Sequence, residues 1–155
     1  MTKEPDMTRP LVFILNGPNL NMLGVREPHL YGTKTLADLD SFCAKEAEKL
    51  GLTVDCRQSN HEGDLVDWIQ QSHGKADAIL LNAAAYARTS MAIQSAVRAV
   101  STPIIEIHIT NIYTKESYRP RSLLSYVADG IICGFGFDTY RIGLQAVHHR
   151  TTSKN

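Results

Sequence analysis

Five short apolar runs, each followed by a segment with helical periodicity, constrain this chain more than any other feature of its sequence. The runs are rich in aliphatic and β-branched residues, which favour strands. They comprise residues 11–16, 52–58, 78–83, 103–109 and 130–135. Strands that alternate with helices form a parallel sheet with helices on both faces. The pattern therefore predicts an α/β fold, and at this size a flavodoxin-like, doubly wound, five-stranded parallel sheet in the order 2-1-3-4-5.

The segments between the runs have apolar residues every three or four positions, as helices with one buried face require. Residues 35–50 show this spacing, with Thr35 as the predicted N-cap and Gly51 as the predicted end. Three further helices are predicted at residues 62–73, 89–100 and 139–150.

A chain of 155 residues suits one domain with a sizeable core. We expect a single flavodoxin-like catalytic domain at residues 11–150. Short tails are expected at residues 1–10 and 151–155. The polar N-terminus lacks the apolar stretch of a signal peptide, and no apolar run approaches the roughly 20 residues that span a bilayer.

The charge balance disfavours nucleic acid and membrane surfaces as partners, because 16 basic side chains match 16 acidic ones. Cys43, Cys56 and Cys133 are odd in number and none lie at metal-ligand spacing. Buried free thiols in a reducing cytosol are therefore expected, together with a cytoplasmic location.

The sequence lacks the common cofactor and nucleophile motifs. No GxGxxG or Walker A motif follows the first run, no HExxH pattern is present, and no serine lies in a nucleophile elbow. The short Gly134–Gly136 segment is typical of a tight turn. The sequence therefore predicts a site that uses acid–base chemistry without a metal or cofactor.

Polar residues follow the predicted strands where each strand ends. Residues 14–32, ILNGPNLNMLGVREPHLYG, continue from the first strand, Asn82 ends the third, and His108 and Thr110 end the fourth. The carboxyl ends of parallel strands meet at one edge of the sheet, where ligands bind in such folds. A small-molecule site is expected there.

Strand alternation places Glu106, His108 and Thr110 of the segment EIHITN on one face. Three polar side chains on a central strand are unfavourable unless they bind one another or a ligand. A carboxylate two residues before a histidine can orient the imidazole and raise its basicity. This segment favours a catalytic interpretation.

The polar residues of the first segment also have structural explanations. The pair Asn16–Gly17 is common in turns, and Asn19 and Asn21 could satisfy loop amides. Arg26 could be a surface charge and Tyr31 a packing residue. For each of these residues the structural and the functional explanation both stay open when the residue is considered alone.

The segments NGPNLNMLGVREPHLYG and EIHITN, followed by a basic segment with Arg119, resemble type II 3-dehydroquinate dehydratases. These are small enzymes of the shikimate pathway, which leads to aromatic amino acids, and of quinate metabolism. The resemblance in element order and length spans roughly residues 11–146. It implies a lyase that removes water from 3-dehydroquinate, a cyclic hydroxy-keto acid, through an enolate to give 3-dehydroshikimate, without a cofactor.

The resemblance also assigns catalytic roles. Tyr31, as tyrosinate, is the base. Because a phenol has a reference pKa of about 10, it ionises at neutral pH only when a nearby positive charge stabilises the anion, and the resemblance assigns this charge to Arg26. Asn19 helps to stabilise the enolate oxygen. His108 is the general acid on the leaving hydroxyl group, and Glu106 orients it. The loop with Arg26 and Tyr31 corresponds to the family's lid.

Substrate contacts are implied for Asn82, Ile109, Thr110 and Arg119. Subunits of the family form trimers grouped into a homododecamer, and the resemblance implies the same assembly here.

The chain departs from the family at positions that hold the substrate's hydroxyl groups and carboxylate. Ala87 stands where the family usually has threonine, and Arg88 where it usually has histidine. Gln94 and Ser95 replace the usual arginine and aspartate, and that aspartate reaches across a subunit interface in the family. Lys115 stands at a usual arginine and Arg121 at a usual histidine. Arg88 adds one positive charge and Ser95 removes one negative charge. We expect both positions to face the substrate.

Three hypotheses remain open for a pocket that is thus about two charges more positive than usual. The first is an ordinary dehydroquinate dehydratase, the second a paralogous dehydratase for a related, more anionic cyclic acid, and the third a non-catalytic anion-binding flavodoxin-like module. The acid–base residues together favour an enzyme over the binding module.

Overall fold

A five-stranded parallel sheet forms the centre of the protein, in a computed structural model that describes residues 9–114 and 121–153, without the side chains of Leu30 and Tyr31. The strand order is β2–β1–β3–β4–β5. The strands are β1 (Leu11–Asn16), β2 (Thr53–Gln58), β3 (Ala78–Asn82), β4 (Ile104–His108) and β5 (Gly130–Cys133). The predicted fold class and strand order are confirmed.

Six α-helices connect and cover the strands in the described residues. They are α1 (Pro28–Tyr31), α2 (Leu36–Lys49), α3 (Glu62–Ser72), α4 (Tyr86–Thr89), α5 (Met91–Ala99) and α6 (Asp138–Thr152). The four longer helices begin and end within two residues of the predicted bounds. The sequence did not predict α1 or α4, because a single turn is too short to show helical periodicity. None of the described helices has the length and apolar character needed to cross a membrane.

Each face of the sheet has its own apolar core because strand side chains alternate between faces. Val12 and Ile14 of β1 pack with residues of α2 and α6. Phe13 and Leu15 pack with residues of α3 and α5. All four side chains are fully buried, so β1 is enclosed on both sides.

The predicted start and end of α2 are both confirmed. The Thr35 hydroxyl accepts from the Asp38 amide at 3.2 Å, and the Asp38 carboxylate accepts from the Thr35 amide at 2.9 Å. This capping box satisfies two amides at the helix start. Gly51, with φ of +69°, follows the helix end in the left-handed region that favours glycine.

The three cysteines are free, as predicted, but the expected burial is confirmed only for Cys43. Cys43 is buried, and Cys56 and Cys133 are half-buried.

The loop after β1 is held against the end of β3 through Gly17. Its amide donates to the Asn82 carbonyl at 2.7 Å. A Cβ at position 17 would lie 2.5 Å from the carbonyl oxygen of Ala83, which is backbone and cannot rotate away. Glycine is therefore required where the first loop leaves the sheet.

The close approach at Gly17 predicts a large difference between two glycine substitutions. Gly17→Ala should lower the free energy of unfolding by about 1–3 kcal/mol, because backbone must move. Gly63→Ala in α3 is the matched control, since a Cβ there meets nothing within 4 Å. It should raise the free energy by about 0.5–1 kcal/mol. Urea unfolding measures both, and equal stability of the two variants would contradict the packing described.

Candidate active site

A cavity of about 140 Å³ lies at the carboxyl edge of the sheet, where the sequence predicts a site. Its walls come from the segments that follow β1, β3 and β4. The lining residues are Pro18, Asn19, Leu20, Arg26, Asn82, Ala84, Ala85, Arg88, His108, Ile109, Thr110 and Ile112. Seven of them, Asn19, Arg26, Asn82, Arg88, His108, Ile109 and Thr110, are residues that the sequence analysis singled out.

Glu106 and His108 form a buried pair at one wall of this cavity. Both belong to β4, which lies between β3 and β5 in the sheet. A distance of 2.5 Å joins His108 Nε2 and Glu106 Oε2. His108 contacts the cavity, whereas Glu106 has no exposed surface and lies behind it. The predicted proximity of the carboxylate and the imidazole is present.

Two serines that follow residues 115–120 complete the surroundings of Glu106. Ser122 Oγ donates to Oε2 at 2.6 Å, and Ser125 Oγ donates to Oε1 at 2.7 Å. Burial raises the pKa of Glu106, but the hydrogen bonds from His108, Ser122 and Ser125 outweigh it and leave this pKa below its ordinary value. Glu106 is therefore a carboxylate at neutral pH.

The ionised state of Glu106 determines the tautomer of His108. A carboxylate only accepts hydrogen bonds, so His108 Nε2 must carry a hydrogen. Nδ1 is then the ring nitrogen left to exchange a proton with a ligand.

Two guanidinium groups, those of Arg26 and Arg88, also line the cavity. Arg88 Nη2 donates to the Ile112 carbonyl at 3.1 Å, which holds its side chain against the wall. Arg26 Nε lies 3.7 Å from the Glu27 carboxylate in a solvent-exposed pair. No aspartate or glutamate is among the described lining residues. The cavity therefore favours an anionic ligand.

A buried hydrogen-bond network sets the position of Asn82 at the cavity floor. Asn82 Nδ2 donates to Tyr140 Oη at 2.8 Å, and Tyr140 Oη donates to Asn16 Oδ1 at 2.5 Å. The pKa of Tyr140 is raised, chiefly because the side chain is buried, so its hydroxyl keeps its proton and remains a donor. The network joins the ends of β1 and β3 to α6.

Backbone conformations with positive φ place two residues at the cavity. Asn19 has φ of +68°, and its amide donates to Asn60 Oδ1 at 2.9 Å. Ala84 has φ of +51°, and its amide donates to Asn82 Oδ1 at 3.2 Å. A left-handed alanine costs on the order of 1–3 kcal/mol and is typical of functional sites. This bend turns the chain into α4 and so brings Arg88 to the cavity.

Two predicted site residues, Tyr31 and Arg119, have side chains outside the described part of the chain, and a third, Ser95, is described but does not line the cavity. The backbone of Tyr31 ends α1, and its side chain is outside the described part of the chain. Arg119 belongs to residues 115–120, which are also outside it, as is Lys115. Ser95 is exposed on α5 and does not line the cavity, so no contact with a ligand in its own subunit is seen.

The sequence analysis missed Ser122, Ser125 and Tyr140. The two serines lie in a short turn and carry no chemical signature, since only the tertiary fold brings them to Glu106. Tyr140 fits the apolar stripe of α6 with Leu144. Its hydroxyl could have been suspected as a partner for an asparagine at a strand end.

Within residues 9–114 and 121–153, no group of three or more histidine, cysteine, aspartate or glutamate side chains is placed to hold a metal ion.

Comparisons with known proteins place this architecture among known enzymes. The family model for class II dehydroquinases matches residues 10–148. The 3-dehydroquinate dehydratase of Rhizobium meliloti (strain 1021) is 49% identical over 140 residues, which cover 90% of this chain and 95% of that protein. The 3-dehydroquinate dehydratase of Brucella canis is 52% identical over 136 residues, or 88% of this chain and 87% of that protein. The crystal structure of type II dehydroquinase from Butyrivibrio crossotus superposes with a TM-score of 0.86 at 35% identity, covering 90% of this chain and 97% of that one.

The lowered pKa of Glu106 predicts a pH-dependent contribution to stability. A carboxyl group with a lowered folded-state pKa stabilises the fold above its unfolded value, about 4.3, and loses that contribution as pH falls through its folded value. Glu106→Gln should therefore unfold more easily than the wild type at pH about 7. The glutamine amide nitrogen is a hydrogen-bond donor, and it would face His108, Ser122 and Ser125, which already donate to this position. This difference should shrink as the pH falls below about 4.

Urea unfolding across this pH range measures the effect. Asp67→Asn, which changes an exposed carboxylate on α3, is the control and should shift the free energy of unfolding by less than about 0.5 kcal/mol. A difference between Glu106→Gln and the wild type that stays constant with pH would contradict the ionised state of Glu106.

Proposed function

The chain belongs to the class II dehydroquinase family, and on this premise we propose that its cavity binds 3-dehydroquinate and eliminates water from it to give 3-dehydroshikimate. The observation that carries this proposal is His108 at the cavity wall. A fully buried carboxylate fixes its imidazole, and two guanidinium groups line the same cavity. Such an arrangement suits acid catalysis on a bound anion.

The first step in the proposal is removal of the proton beside the ketone by Tyr31. Arg26 lines the cavity from the same loop, five residues before Tyr31. A nearby positive charge favours the anion of a phenol, and the anion is the form that can accept a proton. Closure of this loop over the ligand would exclude water and strengthen the interaction.

The second step is loss of the hydroxyl group from the enolate. Asn19, at the cavity wall, helps to stabilise the enolate oxygen. His108 gives the proton on Nδ1 to the leaving oxygen, the carbon–oxygen bond breaks, and water departs. The Glu106 carboxylate orients the imidazole through Nε2 and keeps the hydrogen on that nitrogen after the transfer.

Substrate binding is assigned to polar groups around the same cavity. Asn82, Ile109 and Thr110 line it, and we assign the Asn82 side chain, the Ile109 backbone and the Thr110 hydroxyl to the substrate, with the Arg88 guanidinium group on its carboxylate. Arg119 is assigned to the substrate by family resemblance alone.

The proposed assembly is the homododecamer of trimers implied by the family. Ser95 supports an intersubunit role because it is exposed on α5 and outside the cavity of its own chain. It could reach a ligand only in the site of a neighbouring subunit.

A second candidate function is elimination from a related, more anionic cyclic acid. The observation in its favour is the position of Arg88, whose charge falls on the cavity wall where the family usually has histidine. A ligand with two anionic groups would place one of them against each of the two guanidinium groups of the cavity.

The assignment of the base predicts the behaviour of Tyr31→Phe. This variant keeps the ring and removes only the phenol oxygen, so it should fold normally and lose about 10²–10⁴-fold in turnover, the usual contribution of a general base. The assay follows the enone absorbance of 3-dehydroshikimate after 3-dehydroquinate is added. Tyr126→Phe, at an exposed tyrosine that does not line the cavity, should keep wild-type activity. Turnover of Tyr31→Phe within a few-fold of the wild type would remove Tyr31 as the base.

The assignment of Arg88 predicts a change in binding rather than in chemistry. Arg88→His should raise KM for 3-dehydroquinate by about tenfold and leave kcat nearly unchanged, because a carboxylate contact acts in both ground and transition states. Arg98→His, at an exposed arginine on α5, is the control. If Arg88→His improves kcat/KM, and Ser95→Asp in the same chain improves it further, the more anionic substrate is the correct one.

A further inference from the structure

We propose that Ser122 and Ser125, named here the serine clasp, are positioning residues of the reaction that act on His108 through Glu106. The inference rests on the proposed function, in which His108 is the general acid. The clasp holds one hydrogen bond on each oxygen of the Glu106 carboxylate. It thereby fixes the charge of Glu106 and the hydrogen on His108 Nε2.

The hydrogen of Ser122 has one possible direction. Ser122 Oγ accepts a hydrogen bond from the Leu124 amide at 3.2 Å and lies 2.6 Å from Glu106 Oε2. Because the amide can only donate, the hydroxyl hydrogen is directed to the carboxylate. Ser122 has an exposed fraction of only 1%, so water does not compete for this hydrogen.

The Ser125 hydroxyl binds the other carboxylate oxygen of Glu106 and also contacts Tyr113. The two hydroxyl oxygens lie 3.0 Å apart, and Ser125 Oγ lies 2.7 Å from Glu106 Oε1. Since the Ser125 hydrogen goes to the carboxylate, Tyr113 is the donor to Ser125. Tyr113 follows Ile112, which lines the cavity and accepts the hydrogen bond from Arg88. The clasp is therefore tied to the wall of the cavity.

These contacts favour an ionised Glu106. A carboxylic acid would turn one oxygen into a donor, and the group facing that oxygen would then have to accept instead of donate. With His108, the clasp presents three donors to two carboxylate oxygens, and all three bonds are satisfied only by the anion. An anionic Glu106 in turn requires hydrogen on Nε2 and leaves Nδ1 as the reacting nitrogen.

Loss of the clasp should therefore damage the chemical step more than substrate binding. Neither serine lines the cavity, so contact with the substrate is not removed. A carboxylate with fewer donors can rotate or take up a proton, and His108 then loses its fixed tautomer and orientation. A misplaced catalytic group lowers the rate of reaction from the bound state.

The experiment compares Ser122→Ala and Ser125→Ala with two further variants in the full-length protein. Ser122→Thr keeps the hydroxyl group. Ser72→Ala is the matched control, because Ser72 is also fully buried and donates from Oγ to a backbone carbonyl at 2.6 Å, but lies far from the cavity at the end of α3. The readouts are kcat and KM for 3-dehydroquinate, thermal unfolding, and the ¹⁵N shifts of the His108 ring nitrogens.

Ser122→Ala should lower kcat by about tenfold or more with KM within about twofold of the wild type. Ser125→Ala should act in the same direction, and Ser122→Thr should recover most of the loss. Ser72→Ala should lose thermal stability without losing kcat. The wild type should show hydrogen on Nε2 of neutral His108, and Ser122→Ala should show a mixture of tautomers.

The inference is overturned if Ser122→Ala keeps kcat within twofold of the wild type, or if Ser72→Ala loses as much kcat at equal loss of stability. A wild type that is inactive toward 3-dehydroquinate, with a correct fold, overturns the proposed function instead. The ring-nitrogen shifts then decide on the clasp alone: an unchanged His108 tautomer in Ser122→Ala overturns it.

Discussion

The arrangement of the site depends on one buried charge, the carboxylate of Glu106. An unpaired carboxylate with no exposed surface would be strongly unfavourable in the interior of a sheet. Here three hydrogen bonds compensate for burial, and two of them come from residues beyond the 115–120 segment. The same bonds that stabilise the charge also attach this part of the chain to β4 and orient His108. The contacts that stabilise this charge are therefore also those that orient the proposed acid.

The parallel sheet explains why the remaining groups meet. Its topology brings the ends of β1, β3 and β4 to one edge. The Asn16–Tyr140–Asn82 network and the contact between Gly17 and Ala83 then set the spacing between the loops. The end of β4 thus carries the proposed acid and its partner, while the loop after β1 carries Arg26 and the proposed base. In the proposed mechanism the loop closes over the ligand and the strand end holds the acid in place.

Much of this structure follows from the sequence, and the exceptions have physical causes. Alternating apolar runs and amphipathic segments were enough for the parallel sheet and the four longer helices, because burial on two faces and burial on one face leave distinct periodicities. The strand order came from the arrangement common to folds of this class and size. The proximity of Glu106 and His108 follows from strand alternation alone. The serine clasp and Tyr140 could not be predicted, since hydroxyl groups acquire a role only through distant partners. Helix α4 was missed because its single turn is too short for helical periodicity, and the left-handed Ala84 that precedes it is a conformation that alanine does not favour.

The central claim is that base and acid are different residues on different elements, Tyr31 on the loop and His108 at the rigid edge of the sheet. Deuterium incorporation by His108→Ala tests it most directly. In deuterated water, this variant should still form the enolate, return deuterium to the carbon beside the ketone of 3-dehydroquinate, and release 3-dehydroshikimate only slowly. Mass spectrometry of the recovered substrate measures the exchange. Exchange no faster than the uncatalysed background, or dehydration at the wild-type rate, would contradict the account.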